Sequence, residues 1–280
     1  MQITNELVPE SFLWENIEVP LTMRIDELSD LEKVVEYCRG LNEKVYCDDS
    51  IYSEAVEEDA TLEELLYGLK KAENTDGIQF LRELFLKKIT WGEIPQDNPI
   101  LCSCGEYEAA AANLKDYARL RQSYLKTLKK PQEYADFMRS CFPNSVFSDE
   151  CDRELGYIKD FKENVGEITD CISLLDEKAV ELFLQYSKTP EAAMKILEQE
   201  LGRTCAPDPK HQKQLSFEFS YDEKIGEEIE ERKKKVVCHP HFKLIRDDSN
   251  LRVYFQWKDD KVGNSKKVLI GRIGRHPWKK

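Results

Sequence analysis

The chain has 280 residues, with 54 Asp and Glu against 41 Lys and Arg, and its formal net charge at pH 7 is -13. No apolar run approaches the roughly 18 residues that a membrane-spanning helix needs, and the first residues lack the basic and apolar parts of a secretory signal. We therefore expect a cytoplasmic protein without a membrane partner, long enough for more than one domain.

The first predicted region, residues 1–105, is helical. Ser29 with Glu32, and Thr61 with Glu64, have the spacing of a capping box, which predicts helix starts at Ser29 and Thr61. A third helix is predicted over DGIQFLRELFLKK, because its apolar residues Ile78, Leu81, Leu84 and Phe85 share one helical face. The loop TWGEIPQDNPILCSCG, with two prolines and two glycines, predicts the end of this region.

The second predicted region, residues 106–205, is also helical. Its first segment, EYEAAAANLKDYARLRQSYLKTLK, has the strongest helix propensity in the chain. Pro131 is expected to end that helix and to begin a short one, PQEYADFMRSC. CFPNSVFSDE is predicted to be a turn, and PEAAMKILEQELG a helix closed by Gly202. RTCAPDPKHQKQ, from Arg203 to Gln214, has two prolines and no periodicity, which predicts a linker or a long loop.

The third predicted region, residues 206–280, is rich in strands. LSFEFSY alternates apolar and polar residues, which predicts a strand at an edge of the sheet, and KIGEEIEERKKK is either a short charged helix or an excursion between strands. HFKLI, LRVYFQW and KKVLIGRIG follow, separated by short turn-prone clusters, and predict a three-stranded antiparallel meander. The expected fold class is α+β: a mainly helical N-terminal body with a small C-terminal antiparallel β-sheet.

The alternation of side chains along these strands predicts two different faces. Leu251, Val253, Phe255 and Trp257 share the core face, while Arg252 and Tyr254 point to the other side. In the last strand, Val268, Ile270 and Arg272 are expected to share one side. We therefore expect each strand to offer one apolar face to a core and one polar or cationic face to something else.

Charge is segregated along the chain. Residues 233–280 contain 14 Lys and Arg and 4 Asp, a balance of +10, which leaves 27 basic and 50 acidic residues in 1–232, a balance of -23. Two interpretations stay open: the acidic body docks against its own basic tail, or the tail attracts nucleic acid and the body a basic partner.

Nine cysteines, an odd number, are scattered through the chain, which favours reduced thiols over a disulfide framework. Neither the pair Cys102 and Cys104 nor the group Cys238, His239 and His241 has the ligand spacing of a structural zinc site. No P-loop, dinucleotide-binding, serine hydrolase or zinc peptidase motif is present. We predict neither a metal nor a cofactor.

Three segments follow one another near the end of the sequence: an apolar strand with His and Lys, then LRVYF, then KKVLIGRIGRH. This order resembles the strand core of the bacterial RelE/ParE-like toxin superfamily. The same segment is similar to anti-phage defence-island proteins that end in an RIHF…IGxIGxH pattern. The resemblance covers about the last 45 residues. It implies a compact RelE-like antiparallel sheet that uses Arg, Lys, Tyr and His to bind or cut RNA. The residues that match its motifs are Arg252, Tyr254, Gly271, Gly274, Arg275 and His276. We expect Arg252, Tyr254, Arg275 and His276 to converge on one surface.

Two functions are consistent with these patterns. The first is a component of a bacterial anti-phage or toxin-like system that binds a protein partner, nucleic acid or both through the basic sheet. Its predicted nucleic-acid-binding residues are Lys243, Arg246, Arg252, Arg272 and Arg275. The second is a metal-independent RNA endonuclease, which needs a base, an acid and cations around the phosphate. The candidate catalytic residues are His241, Tyr254 and His276.

Overall fold

The computed structural model describes residues 3–8, 19–72, 74–95, 100–101, 111, 113–208, 214–225, 228–245 and 250–276. The chain divides into two compact units, 1–121 and 122–280. Unit 2 therefore contains residues of both the second and the third predicted regions. None of the described helices combines the length and the apolar composition needed to cross a membrane.

Unit 1 contains a parallel sheet. Its strands are β1 (Thr4–Leu7), β2 (Val45–Cys47), β5 (Thr90–Trp91) and β6 (Ile100–Leu101), while β3 (Ala55–Glu57) and β4 (Ala60–Thr61) form a separate hairpin. The order β5-β2-β1-β6 is that of doubly wound α/β sheets. The predicted helical region 1–105 thus also contains strands that were not predicted, because strands of two to four residues are too short to show an alternating pattern.

Three helices accompany this sheet: α1 (Ile25–Gly40), α2 (Leu62–Leu66) and α3 (Thr75–Lys87). The capping box of α2 is confirmed, because the Thr61 hydroxyl accepts from the Glu64 N–H and the Glu64 carboxylate accepts from the Thr61 N–H. The buried face of α3 is confirmed as well. α1 begins at Ile25, so the predicted start at Ser29 is wrong.

The helices of unit 2 follow the sequence signals in part, since the helix predicted from Glu106 begins at Leu114, and residues 106–110 and 112 lie outside the described residues. They are α4 (Leu114–Thr127, which begins in unit 1), α5 (Pro131–Met138), α6 (Asp149–Leu155), α7 (Phe161–Gln185) and α8 (Pro190–Leu201). Pro131 lies in the first turn of α5, and Gly202 ends α8 with a φ of 67°. Both helix boundaries are confirmed.

A five-stranded sheet forms the centre of unit 2. The predicted meander is confirmed as β11 (Pro240–Lys243), β12 (Leu251–Gln256) and β13 (Val268–Arg275), each antiparallel to the next. Two short strands extend it, β7 (Ser145–Phe147) parallel to β13 and β8 (Cys205–Pro207) antiparallel to β11. They come from segments predicted as a turn and a linker, so the sheet is larger than expected. Mixed helix and strand content is thus confirmed.

Both faces of the central strands are covered. Phe255 and Trp257 are buried as predicted, and Trp257 stacks on Phe183 of α7 with ring centroids 5.5 Å apart. On the opposite face, Tyr254 is fully buried and Arg252 is 4% exposed. The predicted polar or cationic face is therefore not open at Arg252 and Tyr254, because other elements of unit 2 cover it.

A bulge in β13 changes which residues share a face. Tyr254 pairs with Arg272, but Phe255 pairs with Ile270, so Gly271 has no residue opposite it. Directly paired residues point to the same side of a sheet. Arg272 therefore lies on the side of Tyr254, and the prediction that it shares a side with Val268 and Ile270 is wrong.

A separate two-stranded ribbon completes unit 2. Strands β9 (Ser216–Ile225) and β10 (Glu228–Val237) pair antiparallel through ten residue pairs. LSFEFSY is thus a strand, but it pairs with β10 and not with the edge of the main sheet. The helical alternative for KIGEEIEERKKK is wrong.

Candidate functional site

Six polar side chains gather at one end of the five-stranded sheet, and we call them the histidine cluster: Asp208, His239, His241, Arg252, Tyr254 and His276. Asp208 directly follows β8, and its N–H donates to the His239 carbonyl at 3.0 Å. His276 directly follows β13, and its N–H donates to the Asn250 carbonyl at 2.8 Å. The antiparallel register thus brings together residues that are far apart in the sequence.

His241 and Tyr254 form the buried centre of the cluster. They are paired residues of β11 and β12, and their ring centroids lie 4.9 Å apart. His241 is 6% exposed and Tyr254 is fully buried. Neither His241 Nδ1 nor the Tyr254 hydroxyl has a hydrogen-bond partner among the described residues. Buried polar atoms of this kind are rare in folded proteins, and functional sites are one place where they occur.

Burial decides the ionisation of the two central groups. It lowers the pKa of His241 to about 4, and the nearby Arg252 charge acts in the same direction, so the imidazole is neutral at pH 7. It raises the pKa of Tyr254, so the phenol keeps its proton. Burial also lowers the pKa of His239, although the carboxylate of Asp208 opposes that shift.

Asp208 and His276 form the more accessible side of the cluster. The His276 Nε2 lies 3.9 Å from the Asp208 Oδ2, and their side chains are 15% and 13% exposed. The rings of Tyr254 and His276 meet edge to face with centroids 6.5 Å apart. The partly exposed His276 ring is thus a direct neighbour of the buried Tyr254 ring.

Arg272 is held by acidic residues of α6. Its Nη2 donates to the Glu154 Oε2 at 2.6 Å, its Nη1 lies 3.6 Å from the Glu150 Oε2, and its Nε donates to the Arg275 carbonyl at 3.1 Å. The side chains of Arg272 and Glu154 are only 14% and 11% exposed. This cation, predicted to bind nucleic acid, is therefore already paired within unit 2.

The other predicted binding residues lie in different environments. Lys243 pairs with Arg252 across β11 and β12 and is partly exposed, whereas Arg246 lies outside the described residues. Arg275 is exposed and pairs with Leu251, so it is on the side opposite to Arg252 and Tyr254. The expected convergence of Arg252, Tyr254, Arg275 and His276 on one surface is thus wrong for Arg275.

Sequence reasoning missed Asp208 as a site residue, and it considered His239 only as a metal ligand. Asp208 lies in a segment predicted as a linker, and only the pairing of β8 with β11 brings it to the cluster.

No group of three or more described His, Cys, Asp or Glu residues has an arrangement suited to a metal ion. The seven cysteines that the structure describes are buried and form no disulfide with one another, while Cys102 and Cys104 lie outside the described residues.

The cluster combines a histidine beside a carboxylate, a neutral imidazole, a protonated phenol and a guanidinium. These groups can accept a proton, donate a proton and balance negative charge within a small volume.

A scan against family models and searches of curated proteins and of solved structures found nothing that matches the chain.

Proposed function

We propose that unit 2 binds RNA at the histidine cluster and cleaves it without a metal ion. The observation that carries the proposal is the pair of unsatisfied buried atoms, His241 Nδ1 and the Tyr254 hydroxyl, beside the Asp208–His276 pair. A phosphate oxygen would supply the acceptor that the phenol lacks, and Arg252 lies close enough to influence the pKa of both groups.

Each residue has a role in this reaction. His276, oriented by Asp208, takes the proton of a ribose 2′-hydroxyl while that oxygen attacks the adjacent phosphorus. The bond from phosphorus to the 5′-oxygen breaks, and Tyr254 donates the proton that this leaving oxygen needs. The products are a 2′,3′-cyclic phosphate and a 5′-hydroxyl. Arg252 balances the charge that builds up on phosphorus, and the neutral His241 positions the phenol.

Cleavage of a labelled RNA in the presence of a chelator tests this function. Tyr254→Phe and His276→Asn should each slow cleavage by roughly 10² to 10⁴-fold, the usual contribution of a general acid or base. Tyr157→Phe, at an exposed tyrosine of the same unit, is the matched control and should have no effect. Lack of cleavage by the natural chain, or equal cleavage of a strand without the reacting 2′-hydroxyl, would refute the function.

A second function is a non-catalytic component of a bacterial anti-phage or toxin-like system that binds a protein partner. The pairing of Arg272 with Glu150 and Glu154 favours it, because that pairing removes a cation from nucleic-acid recognition. In that case Tyr254→Phe and His276→Asn would leave partner binding unchanged. Binding of RNA to the natural chain would also show little dependence on salt, since few phosphate contacts would be made.

A further inference from the structure

The ribbon of β9 and β10 has an inner and an outer half. At the inner half, Phe217, Phe219 and Val236 are buried in a core that also contains Tyr254 and Leu269. The outer half of β10, Glu228–Lys233, is exposed throughout, and Ile229 keeps 72% of its surface in solvent. A two-stranded ribbon without a third strand is marginally stable in water. The outer half of this ribbon has no third strand to stabilise it among the described residues.

The free edge of β10 is suited to accept another strand. In the described part of the chain, β10 pairs only with β9. The strand contains neither proline nor glycine, and its ten pairs with β9 show no bulge. Proline and bulges, two of the usual features that prevent exposed edges from pairing with other chains, are thus absent, while charged side chains, a third such feature, are present.

The charges of β10 are instead ordered along the strand. Glu228, Glu230 and Glu231 come first, and the basic residues that follow are Arg232, Lys233, Lys234 and Lys235. A partner strand whose charges all have one sign would match only half of this edge. A second copy of β10 running in the opposite direction matches both halves, because its acidic end meets the basic end of the first copy.

We propose that β10 pairs antiparallel with β10 of a second copy of this chain, forming a four-stranded sheet from two ribbons. A twofold axis perpendicular to the sheet passes through Glu231 or Arg232. With the axis at Arg232, Glu230 faces Lys234 of the second copy and Glu231 faces Lys233, while the two Arg232 side chains oppose each other. With the axis at Glu231, Glu230 faces Arg232 and Glu228 faces Lys234, while the two Glu231 side chains oppose each other. Cross-strand pairs of opposite charge stabilise a sheet.

Arg232 and Lys233 can exchange partners, whereas Lys234 already contacts the carboxylates of Asp259 and Asp260 at 2.7 Å. Arg232 contacts Glu230 at 2.7 Å and Lys233 contacts Glu218 at 3.2 Å, with each of these side chains about half exposed. Exposed ion pairs contribute little to stability, so replacing them by pairs between copies costs little. This inference does not depend on RNA cleavage, because the histidine cluster contains no residue of the ribbon.

Sedimentation equilibrium of two charge variants tests the pairing. The acidic variant carries Arg232→Glu and Lys233→Glu, and the basic variant carries Glu230→Lys and Glu231→Lys. Each variant alone should dimerise roughly tenfold or more weakly than the natural chain, because like charges then face each other. An equal mixture should recover the dimer, since acidic and basic strands are complementary. A monomeric natural chain, or a mixture no more dimeric than its components, would overturn the proposal.

Disulfide trapping provides a second measurement that does not depend on charge. Glu231→Cys or Arg232→Cys should form a disulfide between copies, since one of these positions lies on the twofold axis. Lys224→Cys, an exposed position on β9, is the matched control and should cross-link no faster than the natural chain. Equal cross-linking at all three positions would show that the disulfides form by random collision, and it would contradict the pairing.

Discussion

The imidazole of His241 and the phenol of Tyr254 lie at directly paired positions of neighbouring strands, with their ring centroids 4.9 Å apart. Each has a buried polar atom without a hydrogen-bond partner in the described residues. An unsatisfied buried donor costs about 1–3 kcal/mol of folding free energy. The unit is therefore less stable than an apolar version of the same core would be.

Tyr254→Phe should consequently raise the free energy of unfolding by about 1 kcal/mol, because it removes a hydroxyl that has no partner among the described residues. Tyr134→Phe is the matched control. Tyr134 is also fully buried, but its hydroxyl lies 3.1 Å from the Thr169 hydroxyl, so the same substitution should lower stability by about 1 kcal/mol. Urea denaturation of both variants measures the difference, and a loss of stability in both would show that the Tyr254 hydroxyl has a partner.

The buried imidazole of His241 predicts a dependence of stability on pH. In the unfolded chain this group takes up a proton near its ordinary pKa of about 6.5, whereas in the folded chain its pKa is about 4. Between these values the unfolded chain binds more protons, so stability falls as the pH falls from 6.5 to 4. The expected loss is about 3 kcal/mol. Denaturation curves at pH 7 and pH 4.5 should show a smaller pH effect in His241→Phe than in the natural chain.

Arg272 should contribute to stability and not to nucleic-acid binding. Arg272→Ala leaves the mostly buried carboxylate of Glu154 with only the exposed Arg153, whose Nε lies 3.5 Å away, and we expect a loss of about 3 kcal/mol. Adding Glu154→Gln should recover part of that loss, since the poorly compensated charge is removed. Arg275→Ala, at an exposed neighbour, should leave the melting temperature unchanged. If Arg272→Ala instead lowers RNA affinity and its salt dependence at unchanged stability, Arg272 contacts phosphate.

The bulge residue Gly271 should tolerate no side chain. A Cβ there would overlap the Phe217 ring and lie 2.8 Å from the Cys238 sulfur, so Gly271→Ala should cost about 1–3 kcal/mol. Gly166→Ala is the control, because Gly166 lies inside α7, where a Cβ would meet no neighbouring atom within 4 Å beyond the helix's own backbone. That substitution should stabilise by about 0.5–1 kcal/mol. Thermal melts of the two variants should move in opposite directions.

The parts of the fold that could be predicted have strong local signals. Strands β11, β12 and β13 are rich in β-branched and aromatic residues, and α3 and α8 have clear caps and apolar faces. Strand β10 could not be identified from composition, because Glu, Lys and Arg favour helices, and only its pairing with β9 makes it a strand.

The residues of the histidine cluster were predictable only where the strands that carry them have a local signal. The register of a simple meander places His241 beside Tyr254, and Arg252 is next along the same face. Asp208 joins them through a three-residue strand that has no detectable pattern, and Arg272 changes side because one extra residue enters β13. Short strands and bulges depend on pairing partners elsewhere in the chain, which a local pattern does not contain.

The position of β13 between β7 and β12 has a consequence for how unit 2 folds. The Ser148 hydroxyl donates to the Gly271 carbonyl at 2.6 Å, although these residues are 123 positions apart. A centre strand that pairs with such a distant partner requires closure of a long loop, which slows folding. Until β13 joins the sheet, β7 and β12 keep unpaired edges, so a partly folded chain is prone to aggregate or to require a chaperone. Refolding yield should therefore fall as protein concentration rises.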